Sequence, residues 1–146
     1  MPFGALTLIL ASEAAGAFDE LTRSDQDDLL VNQKKGAWPN YFRTARYITA
    51  VDYVNANRIR FQLVQKMQEI LKDYDAVVTP SYGGAQLVIT NLTGNPCVVM
   101  PNGFDEEGHP SSISIIGKLF NEAQIIKVAE AYQNASEFDD KHPEMF

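Results

Sequence analysis

Apolar residues recur at helical spacing in the first half of this chain and at strand spacing in the second. Leu6–Leu21 is rich in Ala, Leu and Glu and has no proline, which predicts a helix. A second helix is predicted over Ser24–Lys35, because a capping hydroxyl is followed by carboxylates in the first turn. The segment Gly36–Asn40 contains Gly, Pro and Asn and predicts a loop.

The strongest helical pattern covers Thr44–Tyr74. Its apolar residues recur at steps of three, four or seven and form one stripe, which predicts a face packed against a sheet. A coiled coil is the alternative, but clean heptads are too few. Because the segment is long for a small domain, we expect a kink or break near Asn55–Asn57. The stripe consists of Tyr47, Val51, Val54, Phe61, Val64, Met67 and Leu71.

Three short apolar, β-branched runs follow and predict strands over Asp75–Pro80, Pro96–Pro101 and Ser111–Gly117. The loop between the last two is dense in turn residues and predicts a hairpin-like return. Asn121–Ala135 again has helical spacing, with Asn121 as its cap. The predicted fold class is α/β, a small mixed β-sheet flanked by helices.

We expect a single domain over residues 1–146, with a helical lead-in over 5–43, a main region over 44–136 and a polar tail over 137–146. Hydrophobic residues make up 45% of the chain and charged residues 21%, which is typical of globular domains. The net charge of −7 repels a phosphate backbone, so nucleic acid is not an expected partner. No apolar run is long enough for a membrane span and no basic signal-peptide start is present, so a cytoplasmic location away from the membrane is expected.

Candidate chemistry is sparse in the sequence. Glycine-rich phosphate loops and the Gly-x-Ser-x-Gly elbow are absent. His109 and His142 have no partners at ligand spacing, so neither a metal nor a cofactor is expected. Cys97 lies in a predicted buried strand and is expected to be a small core residue. The serine pair Ser111–Ser112 near His109 leaves open a small serine hydrolase.

One stretch, Thr90–Phe104, resembles the C-terminal motif of amidase-signature enzymes. In that family an Asn-Leu-(Thr/Ala)-Gly-x-Pro turn leads into a small-residue strand that ends Pro-x-Gly. Gly108–Gly117 resembles the segment and strand that follow, and Phe120–Gln133 resembles the last helix of the family. Upstream, Arg58 and Tyr74–Ser81 are similar to the helix and strand before the motif. The resemblance covers residues 44–146 and, more loosely, 5–43.

The resemblance implies a parent hydrolase that cleaves C–N amide bonds with a serine nucleophile. It places the turn from Thr90 to Pro96 near the substrate pocket, with Thr90, Asn91, Thr93, Gly94 and Asn95 as lining residues. The catalytic lysine and two serines of the family lie N-terminal to this region, and the sequence has no glycine- and serine-rich signature. No catalytic residue is therefore assigned, and the chain is expected to be truncated relative to the parent and inactive alone.

Three hypotheses on function remain open. The chain is the C-terminal domain of an amidase whose catalytic portion is supplied in cis or in trans, or a stand-alone interaction module or subunit derived from an amidase. The third hypothesis is the small serine hydrolase. The tRNA-dependent amidotransferase branch of the family also resembles this segment, although the sequence pI of about 4.7 favours general amidases. Because the missing portion leaves an apolar face or a sheet edge uncovered, we expect a homo-oligomer, as a dimer.

Overall fold

The computed structural model describes residues 3–141, and the chain divides into two compact units, Met1–Gln62 and Leu63–Phe146. Part of the predicted tail, residues 142–146, lies outside the described residues. The elements in chain order are α1 (Phe3–Ala17), α2 (Asp19–Arg23), a 3-10 turn (Gln26–Leu29), α3 (Trp38–Ala45), α4 (Ala50–Leu71), β1 (Val77–Pro80), α5 (Gln86–Thr93), β2 (Cys97–Phe104), β3 (Pro110–Ile116) and α6 (Glu122–Ser136).

In the first unit, α1 packs against α3. Leu6 and Ile9 of α1 are fully buried, and Phe42 of α3 is buried as well. The ring of Phe42 stacks on that of Phe18, with centroids 4.7 Å apart. Phe18 separates α1 from α2, so the helix predicted over Leu6–Leu21 is confirmed with a break near its end.

The helix predicted over Ser24–Lys35 is wrong, since only the 3-10 turn forms there. Asp25 has φ 56°, in the left-handed region, which does not continue a helix. Asp27 is buried and lies 2.6 Å from Arg43 Nε. The sequence pattern placed Asp27 in the exposed first turn of a helix. In the structure its carboxylate is buried and paired with Arg43 of α3. The loop predicted over Gly36–Asn40 is also too long, because α3 begins at Trp38 with proline in its first turn.

The segment predicted as one long helix contains two helices. The break falls at residues 46–49, between α3 and α4, and α4 is continuous through Asn55–Asn57. Thr49 sets the start of α4, because its hydroxyl accepts from the backbone N–H of Asp52 at 3.1 Å and donates to the Asp52 carboxylate at 2.7 Å. The bond from the Asp52 N–H is an N-cap interaction, and the Asp52 carboxylate holds the Thr49 hydroxyl in place for it.

The predicted apolar stripe is buried only toward its C-terminal end. Tyr47, Val51, Val54 and Phe61 are exposed, whereas Leu71 is buried. Ala56 and Leu63, which are outside the stripe, are also buried. The predicted packing face is therefore wrong for the first part of α4.

The second unit contains a three-stranded antiparallel sheet in the order β1-β3-β2. This confirms the fold class, in which helices flank a small sheet. Helix α6 packs against β2 and β3, where Met100 and Ile115 meet Ile125 and Ala129 in a buried cluster. The three predicted strands and the predicted last helix are confirmed. The hairpin turn is also confirmed, with Gly108 at φ 83°.

Within residues 3–141, no helix combines the length and apolar character needed to cross a bilayer.

Candidate functional site

A cleft of about 420 Å³ lies in the second unit, between α5 and the sheet. Val99 of β2 and Ser114 of β3 are register partners, and both line the cleft. Their neighbours Met100 and Ile115 point the other way, into the cluster under α6. Because side chains alternate between the faces of a strand, the cleft occupies the face of the sheet that α6 does not cover.

Helix α5 forms the opposite wall and includes Thr90–Thr93, so the turn predicted over Thr90–Pro96 is confined to Gly94–Pro96. The helix ends at Gly94, whose φ of 77° is left-handed and whose N–H donates to Thr90 O at 2.9 Å. The hydroxyls of Thr90 and Thr93 donate to the carbonyls of Gln86 and Ile89, at 3.1 and 2.9 Å. These bonds satisfy two polar side chains that are buried in the helix.

The five predicted pocket residues divide into two groups. Thr90, Asn91 and Asn95 line the cleft, whereas Thr93 and Gly94 are not part of its lining. Thr93 Oγ1 also lies 2.6 Å from Asn95 Oδ1, and Asn95 Nδ2 donates to the carbonyl of Gly117 at 2.8 Å. Asn95 is thus held between α5 and the end of β3. The role of these residues in substrate binding stays a prediction.

Most of the remaining lining residues were not identified from the sequence. Ser112 and Ser114 carried a usable signal, because they alternate with apolar residues in a predicted strand. The prediction that Cys97 is a core residue is wrong, since it is exposed and lines the cleft. The other residues that were missed are Ser81, Tyr82, Gln86, Leu87 and Val99.

The cleft has no Asp, Glu, Lys, Arg or His in its lining. Its polar surface comes from hydroxyl and carboxamide groups, and the Ser114 hydroxyl donates to Ser81 Oγ at 3.3 Å. Gln86 Nε2 lies 3.5 Å from Thr90 Oγ1, while its Oε1 is buried without a hydrogen-bond partner. Such a lining suits a neutral polar group better than an ion, because it has no charge to pair. Among residues 3–141, no three His, Cys, Asp or Glu side chains are grouped as a metal site.

The serine pair considered as a catalytic centre is divided by strand alternation. Ser112 lines the cleft, while the Ser111 hydroxyl donates to Asn102 O at 2.9 Å. His109 Nδ1 lies 3.2 Å from Asp105 Oδ2. Ser111 and His109 are engaged with different partners, so this geometry gives no support to a pair between them.

Asp105 organises the hairpin between β2 and β3. Its Oδ1 accepts from the backbone N–H groups of His109 and Glu107, at 2.8 and 2.9 Å. The bond from the His109 N–H holds the pKa of the Asp105 carboxyl below its usual value. This network shapes the turn and lies outside the cleft lining.

The sequence is similar to curated amidotransferases and amide hydrolases. A glutamyl-tRNA(Gln) amidotransferase component of Oceanobacillus iheyensis is 30% identical over 112 residues, which are 64% of this chain and 23% of that protein. Fatty acid amide hydrolase of Medicago truncatula is 32% identical over 109 residues, 58% of this chain and 18% of that protein. The chain therefore spans less than a third of the length of these relatives. No protein-family model matches the sequence.

Solved structures share the fold. A crystal structure of an amidase matches 93% of this chain and 36% of its own, with a TM-score of 0.76 at 15% identity. An allophanate hydrolase of Kluyveromyces lactis matches 93% of this chain and 26% of its own, with a TM-score of 0.64 at 21% identity. At these identities the likeness concerns the fold, and it agrees with the arrangement of helices and antiparallel sheet described above.

Proposed function

Because this chain is a C-terminal-like region of the amidase-signature family, we propose that it serves as the C-terminal domain of an amidase-type hydrolase. In this proposal the catalytic Ser-Ser-Lys segment belongs to another portion, supplied in cis or in trans, and the chain alone is inactive. The observation that carries the proposal is the neutral polar cleft on the uncovered face of the sheet.

The open face of the sheet supports a role as one part of a larger fold. β1 and β2 are the outer strands of the sheet formed by the described residues. Outer strands present unpaired backbone groups that template further strand pairing. Val99 of β2 lines the cleft on this face and is 58% exposed. Covering this side chain with the catalytic portion would close the cleft between the two parts.

The proposed role of the cleft is to hold the amide end of a substrate. The carboxamide of Asn91 offers both donors and an acceptor, and the hydroxyl of Ser112 adds a further polar contact. Asn95 and Thr90 bond within the protein and shape the wall of the cleft. A serine of the catalytic portion then attacks the carbonyl carbon. The C–N bond breaks, the amine leaves with a proton, and water releases the acid from the acyl-serine.

The named relatives differ in the substrates that their names give, which are glutamyl-tRNA(Gln) for one and fatty acid amides for the other. The amide group is the chemistry that both names share. We propose that this cleft contacts that shared group, because its lining carries no charge for an anionic or cationic substituent.

Reconstitution tests the proposal. The fatty acid amide hydrolase of Medicago truncatula is shortened by the region that matches this chain, and hydrolysis of a fatty acid amide is measured with and without the 146-residue chain. We expect neither part to turn over alone and the mixture to do so. Turnover by this chain alone, or no turnover by the mixture, contradicts the proposal.

A matched pair of variants tests whether the catalytic portion binds the open face of the sheet. Val99→Lys places a charge on the open face of the sheet and is expected to prevent reconstitution. Val51→Lys changes a similarly exposed valine of α4 and is expected to leave reconstitution intact. If both variants reduce turnover of the mixture equally, the catalytic portion does not bind the open face of the sheet.

The second candidate function is a stand-alone interaction module derived from an amidase. The exposed apolar side chains of the sheet favour protein association under this hypothesis as well. The reconstitution experiment separates this hypothesis from the proposed function, because an interaction module binds the catalytic portion without restoring turnover.

A further inference from the structure

The first unit carries an apolar surface unrelated to the cleft. We call Leu10, Phe18, Leu30, Trp38 and Tyr41 the aromatic surface. All five are exposed, and Trp38 is 54% exposed although tryptophan is highly buried on average. Three of the five are aromatic, and aromatic residues are enriched at protein interfaces.

Two adjoining hollows show that the aromatic surface is continuous. The larger, of about 470 Å³, extends from Leu10 and Trp38 to Leu21 and Leu30. The smaller, of about 320 Å³, extends from the same two residues to Gly36. Leu10 and Trp38 line both hollows and therefore form the ridge between them.

Ring stacking holds this ridge in place. Trp38 stacks on the buried Phe42 with centroids 5.7 Å apart, and Phe42 stacks on Phe18 at 4.7 Å. An aromatic side chain fixed before binding loses little conformational entropy on association. Trp38 thus has the character of a preorganised interface anchor.

The aromatic surface continues at one end beyond its five residues. Leu29 and Val31 flank Leu30 and are 82% and 105% exposed, which adds apolar area there. Contiguous exposed apolar surface with a polar rim is a feature of protein–protein contact sites.

The two ends of the aromatic surface carry opposite charges. Exposed Lys34 and Lys35 directly precede Gly36 at the end of the smaller hollow, and exposed Glu20 directly precedes Leu21 at the end of the larger. Asp25 lies four residues beyond Leu21 and is exposed as well. The ion pairs among residues 3–141 engage none of these four side chains.

We propose that the aromatic surface binds the same surface of a second copy of this chain about a twofold axis. In such an isologous interface the basic end of one protomer faces the acidic end of its partner. Trp38 of one copy enters a hollow of the other. This interface is independent of the proposed function and of the open face of the sheet.

Sedimentation velocity over a micromolar concentration series tests the interface. The chain is expected to sediment as a monomer–dimer equilibrium, and Trp38→Ser is expected to raise the dimer Kd at least tenfold. Phe61→Ser removes another exposed aromatic residue of the first unit and serves as the control, with an unchanged Kd.

Charge exchange keeps the test independent of any effect of Trp38 on folding. Lys34→Glu with Lys35→Glu, and separately Glu20→Lys with Asp25→Asn, should each weaken the homodimer. An equimolar mixture of the two variants should restore a dimer, because the altered ends are again complementary. A monomer at all concentrations, a dimer unaffected by these changes, or a dimer abolished by Val99→Lys alone would overturn the proposal.

Discussion

Gly117 lies so close to Ile125 that a Cβ atom at position 117 would be 2.5 Å from Ile125 Cγ2 and 3.4 Å from Pro96 Cγ. The same glycine accepts a hydrogen bond from Asn95 through its carbonyl and donates its N–H to Pro96 O at 3.0 Å. Its backbone is thus fixed on two sides, and Ile125 is only 2% exposed. The junction between β3 and α6 therefore has no room for a side chain.

Gly117→Ala is expected to destabilise the second unit by about 1–3 kcal/mol, because a tightly packed site must shift to admit a methyl group. Urea unfolding followed by circular dichroism measures this. The control is Gly16→Ala in α1, where a Cβ meets nothing within 4 Å. That variant should raise the stability of the first unit by roughly 0.5–1 kcal/mol, since alanine is the better helix former. Equal stabilities for wild type and Gly117→Ala would contradict the close approach.

In the ion pair Asp27–Arg43, removing the cation alone is expected to lower the free energy of unfolding more than removing both charges. Asp27 Oδ2 lies 2.6 Å from Arg43 Nε, and the carboxylate is 2% exposed, whereas Arg43 is partly exposed. The contact lacks the alignment of a hydrogen bond, so Coulombic attraction carries it. Arg43→Met leaves a buried carboxylate without its cation and should cost roughly 2–4 kcal/mol.

The double variant Asp27→Leu with Arg43→Met should recover part of that loss, because no buried charge then remains. A double-mutant cycle in urea measures the coupling between the two positions. A double variant that is less stable than Arg43→Met alone would show that the carboxylate has another stabilising partner.

The sequence pattern predicted an element correctly where residues close in sequence determine its structure. The strands follow from short apolar, β-branched runs, the hairpin from a turn-rich loop, and α6 from helical spacing that includes Ile125 and Ala129. Asp27 shows why the helix over Ser24–Lys35 was wrong. Its carboxylate forms an ion pair with Arg43, sixteen residues later, and no local pattern contains that partner.

Only part of the candidate site could be predicted, because several of its residues come together from distant parts of the sequence. The family resemblance identified the segment containing Thr90, Asn91 and Asn95, which line the cleft. It did not show that Ser81 and Ser114 join the same cleft, because β1 and β3 bring them together across more than thirty residues. The burial of Cys97 was misjudged because the apolar run predicts a strand without showing which face is covered.

Asp105 is expected to titrate below its usual pKa of about 3.8, because the backbone N–H of His109 stabilises its carboxylate. A carboxyl group with a lowered folded-state pKa stabilises the native hairpin above its unfolded pKa. That contribution is lost as the pH falls below about 3.8 and through the folded-state pKa. NMR titration of the carboxyl carbon measures the midpoint.

His109→Ala provides the control for that titration. It removes the imidazole and keeps the backbone donor at 2.8 Å, so the pKa of Asp105 should stay lowered. A return to the usual value in this variant would assign the shift to the histidine ring instead of the backbone. In Asp105→Asn the titration disappears, which confirms the assignment of the signal.

Adjacent isoleucines on α6 give a matched test of how this helix packs. Ile125 is 2% exposed and belongs to the cluster with Met100 and Ile115, whereas Ile126 is 56% exposed. Ile125→Ala removes buried methyl groups and leaves a cavity, which should cost about 2–5 kcal/mol. Ile126→Ala should change the free energy of unfolding by less than about 0.5 kcal/mol, because its side chain is largely in water. Urea unfolding of both variants measures the difference, and comparable losses would mean that α6 presents a different face to the sheet.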